Sequence, residues 1–162
     1  MKRPVCLLCL LGLLIPAGAV AQRLDDSESP RQQVDVDLHW QYPDHAEQLD
    51  DAQLDAMVAS IHHYELRLNT AAHKGTTARI YLGLPLVIRG LDDPGAMRLS
   101  WTSHGTFSDG TVTPGMRSLL YEGPITGDVM ADMLDFTIEV DGRSFRQPIS
   151  FEPEYEIEIV SP

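Results

Sequence analysis

The chain has 162 residues, 24 acidic against 12 basic side chains, and a formal net charge of −12 at pH 7. That length fits one domain. So acidic a chain repels nucleic acid and anionic lipid headgroups, which disfavours both as partners.

The first stretch has the pattern of an export signal. Lys2 and Arg3 precede an apolar run from Val5 to Ile15, Pro16 and Gly18 break it, and Ala19-Val20-Ala21 fits a small-x-small cleavage site. The apolar run is short of the ~20 residues a membrane span needs. Residues 1–21 are therefore expected to be a cleaved signal peptide, leaving no stable membrane span. Removing Lys2 and Arg3 takes the net charge from −12 to −14. Cys6 and Cys9 leave with the signal, so the mature chain is expected to have neither a disulfide nor a thiol nucleophile. This composition points to a bacterial periplasmic or secreted protein.

Residues 22–33 are polar and carry Ser27, Ser29 and Pro30; they read as a flexible lead-in to a domain spanning 34–162. Val34, Val36, Leu38 and Trp40 then alternate with Asp35, Asp37 and His39, the period of a strand. Over residues 49–61 the period changes. Leu54, Met57, Val58 and Ile61 recur at three- and four-residue spacings, which predicts one short helix near residues 50–61. Period two returns at Tyr64, Leu66 and Leu68, and recurs at Ile80, Leu82 and Leu84 up to Pro85, which lacks a ladder donor. Met97, Leu99 and Trp101 form another alternating run.

Residues 102–115 are rich in glycine and hydroxyls, and Asp109-Gly110 predicts a hairpin between short strands around Phe107 and Val112. A short apolar strand is expected over 118–122, then either a long loop over 124–132 or one turn of helix near 129–133. Phe136, Ile138 and Val140 alternate with Thr137 and Glu139 and run into Asp141-Gly142. That dipeptide predicts a two-residue type I′ turn, since both turn positions need positive φ. Residues 143–151 would be the return arm, with a bulge at Pro148. Tyr155, Ile157 and Ile159 close the chain, with Glu154, Glu156 and Glu158 on the other face. That strand is suited either to pairing with a partner's strand or to guarding an edge against it.

Regularly spaced short strands predict a mainly β fold, a single antiparallel β-sandwich of immunoglobulin-like type. For function, residue types with catalytic spacing are missing. There is no GxSxG elbow, no HExxH and no GK[ST] in the glycine-rich segment. The expectation is a non-catalytic accessory or binding domain of the bacterial envelope, needing no cofactor. It would contact a protein partner through loops or a sheet edge. Trp101, His104 and Phe107 are the candidate binding residues, because loops on a rigid sandwich carry recognition. One alternative is a periplasmic copper or zinc protein using His39, His45, His62 and His63, since neutral imidazoles bind these metals well. A second is a small secreted hydrolase with convergent carboxylates that sequence spacing does not single out.

Overall fold

A computed structural model describes residues 21–30, 38–41 and 55–160. The expected signal peptide, the strand residues 34–37, His45 and the first half of the expected helix lie outside the described residues. The strands in chain order are β1 (Gln22–Arg23), β2 (His39–Trp40), β3 (Ala56–Asn69), β4 (Thr77–Gly83) and β5 (Arg89–Leu91). They continue as β6 (Met97–Ser103), β7 (Gly110–Val112), β8 (Arg117–Pro124), β9 (Val129–Asp141), β10 (Phe145–Ser150) and β11 (Glu154–Ile159). All pairings are antiparallel. One sheet has the order β1-β11-β4-β8, a second β2-β3-β9-β6-β7, and β10 pairs with β5 in a two-stranded ribbon. The fold is mainly β, and no described helix is long and apolar enough to cross a membrane.

The two larger sheets share one buried cluster. Ala78, Ile80 and Leu82 of β4, with Tyr155 and Ile157 of β11, meet Leu66 and Leu68 of β3, Leu134 to Val140 of β9 and Met97 to Trp101 of β6. Alternation explains this directly. In β9, Leu134, Phe136, Ile138 and Val140 are buried and the residues between them are half-buried. Residues with period two put their apolar set on one face, and burying that face supplies the main driving force for folding.

Three expectations change. Residues 56–61 are strand, not helix. Met57, Ala59 and Ile61 point inward before a bulge, and Tyr64, Leu66 and Leu68 point inward after it. The register runs Ile61↔Phe136, then Tyr64↔Leu134, so β3 carries one extra residue between them. His63 sits there at φ 57°. An extra residue shifts the inward parity by one. Met57 and Ile61 share the inward face of the strand at a four-residue spacing that a helical face also gives, while Val58 lies on the other face, so the strand imitated a helical stripe before the bulge.

The second correction concerns Asp141-Gly142. Here β9 is hydrogen-bonded to β3 on one side and β6 on the other, so neither of its edges is free for a return arm. Asp141 has φ −73° and its carboxylate accepts from Arg143 N at 3.0 Å, opening a 3-10 turn over Gly142–Ser144. The chain leaves the sheet, and β10 pairs with β5. Gly142 is required for a different reason: a Cβ there would stand 2.6 Å from the Trp40 ring. The register of β10 is irregular between Phe145 and Ser150, the segment that holds Pro148. The residues expected as a loop or helical turn, 129–133, begin β9.

The third correction concerns residues 22–30, which are docked, not a flexible lead-in. Gln22 and Arg23 pair with Ile157 and Glu156. Leu24 is buried. Asp25 bridges to Asn69. Ser29 Oγ accepts from Arg67 N at 2.9 Å and donates to Arg67 O at 3.1 Å, doing for β3 what a neighbouring strand would do. The β11 edge is thus partly covered by β1. Glu156 and Glu158 are engaged by Arg117 at 2.7 and 2.6 Å, across the Tyr81 ring over which the guanidinium lies at 4.3 Å.

Candidate functional site

The glycine-rich segment is built on a carboxylate that the sequence reading did not single out. Asp132 lies on the inward face of β9, in phase with Leu134 and Phe136, and is 8% exposed. Its Oδ2 accepts from Ser103 Oγ at 2.9 Å and from Phe107 N at 2.7 Å, and its Oδ1 accepts from Met133 N at 2.7 Å. A charged group in the interior is tolerated only when donors surround it. Gly105 lets the loop approach, since a Cβ there would be 2.6 Å from Asp132 Oδ1. Asp109 completes the loop by accepting from Ser103 N at 2.8 Å. Of the three residues expected to bind a partner here, Trp101 and Phe107 are 3% and 5% exposed. The Trp101 indole N–H donates to Ser108 O at 2.8 Å. His104 is the exposed member.

His104 belongs to a second constellation on the outer face of the same sheet. Its Nε2 is 2.9 Å from Asp135 Oδ2. His62 Nδ1 is 3.7 Å from the same oxygen. The His63 backbone N–H donates to Asp135 Oδ1 at 2.7 Å, and the His63 ring stacks parallel to that of His104 with centroids 6.2 Å apart. The bulge makes this possible. On a regular strand His62 and His63 would face opposite ways; with the extra residue both are exposed beside Asp135. The backbone donor of His63, followed by the hydrogen bond with His104, lowers the Asp135 pKa from 3.8 to about 2. A carboxylate so held stays ionised and anchors three segments of chain.

Of the expected metal ligands, His62 and His63 are brought together. His39 lies exposed on β2, and His45 is outside the described residues. Among the described residues, no three His, Cys, Asp or Glu side chains have the arrangement of a metal-ligand set.

A third feature is apolar. β4 ends at Gly83, and beyond Pro85 the chain turns through Leu86 and Val87, which are 71% and 75% exposed. Met116, on the turn that leads into β8, is 63% exposed. The two turns are hydrogen-bonded to each other: Gly115 N donates to Leu84 O at 3.0 Å, and Leu84 N donates to Met116 O at 3.1 Å. Gly115, at φ +77°, packs directly under Leu86, where a Cβ would lie 2.8 Å from Leu86 Cδ1. Backbone pairing therefore holds three large apolar side chains in water on two adjoining turns. Single exposed apolar residues are ordinary, but neighbours fixed on rigid turns form a contact surface.

No family model, no curated protein and no solved structure matches the chain.

Proposed function

We propose that this protein is an exported, non-catalytic binding domain of the bacterial envelope, folded as an immunoglobulin-like sandwich, that contacts a protein partner through its loops. The observation that carries the reading is the Leu86, Val87 and Met116 surface on its two cross-bonded turns. Their side chains gain by leaving water, about 1.5–3 kcal/mol for each one fully buried. The turns are already ordered, so docking costs little further backbone entropy. Two antiparallel sheets sharing one core support the sandwich. The small-x-small site at residues 19–21 supports export.

The test is site-specific photocrosslinking in the compartment where the protein accumulates. A photoreactive residue at Val87 should capture one defined protein. The same probe at Val129, exposed on β9 far along the chain, should not. Leu86→Ser combined with Met116→Ser should abolish capture while the circular dichroism of the domain stays unchanged. Equal labelling at 87 and 129 would overturn the proposal. The mass of the mature N-terminus, expected to begin at Gln22, tests export in the same preparation.

A further inference from the structure

Away from those turns, the core opens into a cavity of about 670 Å³. Its walls include Ile61 and Tyr64 on either side of the β3 bulge, Phe136 and Ile138 of β9, and Phe151 and Tyr155 at the start of the last strand. The Tyr64 and Phe136 rings meet edge to face at 5.5 Å. This volume falls within the roughly 300–1,000 Å³ of small-molecule sites, and the wall mixes apolar and aromatic side chains with about as much polar lining.

The polar groups are serine and tyrosine hydroxyls, two carboxylates, Asp26 and Glu152, and the Arg23 guanidinium. Tyr155 Oη is buried without a hydrogen-bond partner among the described residues. Burial raises the pKa of both phenols; the charge of Asp26 adds to this at Tyr64, and Tyr64 followed by Asp26 adds to it at Tyr155. Arg23, at the rim, is 3.5 Å from Glu154 and so already has an acid partner. Among the described residues, neither Asp26 nor Glu152 at that rim has a cationic partner. The cavity thus combines apolar and aromatic walls with two carboxylates that lack a cationic partner among the described residues, on a chain of net charge −12.

We infer that this cavity binds an amphipathic organic cation, an alkyl- or arylammonium. Its apolar body packs against Ile61, Tyr64 and Phe151, which keep accessible surface on the wall, and its charged head meets Asp26 and Glu152. An anion of the same shape is repelled at the rim. A neutral molecule leaves both carboxylates as they were. A cation gains their field and, beside Tyr64, the negative face of an aromatic ring.

Isothermal titration of the full mature chain with octyltrimethylammonium, octanol and octanoate separates these cases, since the three share one tail. The ammonium should bind at least tenfold more tightly than octanoate. Asp26→Asn, a change at the rim, should weaken the ammonium at least fivefold and leave octanol unchanged. Raising sodium chloride should weaken the ammonium alone. Ile61→Trp, which fills the cavity from its partly exposed wall, should remove binding of all three, and the rim variant serves if that one does not fold. Equal affinity for the three probes, an ammonium affinity indifferent to Asp26→Asn, or no binding at all would overturn the inference. None of these results bears on the Leu86 surface, which lies on other turns.

Discussion

Asp132 and Asp135 stand three residues apart on β9 and fall on opposite faces of one sheet. The same carboxylate does two different jobs there. Asp132 faces the core and is surrounded by neutral donors: a serine hydroxyl and two backbone N–H groups. Asp135 faces outward and is surrounded by imidazoles and the backbone of a bulge. The inner one fixes the path of the 103–109 loop and with it the burial of Phe107. The outer one fixes the bulge in β3 by accepting from the His63 backbone N–H. An odd number of steps along a strand decides which environment a side chain meets, and the environment decides its role.

The largest expected effect is at the inner position. Asp132→Ala removes the acceptor of the buried Phe107 N–H and of the Ser103 hydroxyl. Hydrogen bonds to a charged acceptor are strong, and a buried donor left unmade is costly, so a loss of about 3 kcal/mol is expected in urea denaturation. A loss under about 1 kcal/mol would show that the loop does not depend on it.

The bulge comes next. His63 has positive φ, which glycine adopts freely and a β-branched residue does not. His63→Gly should exceed His63→Val in stability by about 2 kcal/mol, read from the difference in denaturation midpoints. Equal stability would mean that β3 can pair there without the extra residue.

The smallest and most specific effect is at Asp135. Its folded pKa of about 2 lies below the roughly 3.9 of an unfolded aspartate. A depressed carboxylate pKa gives stability that is complete above the unfolded value and is lost as pH falls through the folded one. The stability difference between the native chain and Asp135→Asn should therefore hold steady down to about pH 4 and shrink from there toward pH 2. Thermal unfolding of both proteins across that range measures it. A difference that persists unchanged at pH 2 would show that the carboxylate is not preferentially ionised in the fold.

The two faces also differ in how far a reader of the sequence could see them. Alternation from Phe136 to Val140 located β9, and followed backwards through Leu134 it places Asp132 on the core face. A carboxylate at a core position must have donors, and that signal was available in the chain. Asp135 was also visibly outward. Its companions were not legible, because no local pattern marks the extra residue that β3 carries between Ile61 and Tyr64. Without it, a regular strand would set His62 and His63 on opposite faces. Likewise Asp141-Gly142 carries a sound local turn preference, but a strand with both edges occupied has no place for a return arm.

The sequence by itself determined the β character, the positions of most core strands and the acidic balance, because these follow from side-chain periodicity and charge, which are local. Only the tertiary structure decided that residues 22–30 pair with β11 and β3, and that β10 leaves β9 to join β5. It also decided that His62, His63 and His104 gather at Asp135. Those outcomes depend on which strand edges remain unpaired once the sheets form, and on one inserted residue in β3. Hydrogen-bond pairing between distant segments is a property of the assembled sheet, not of any window of chain.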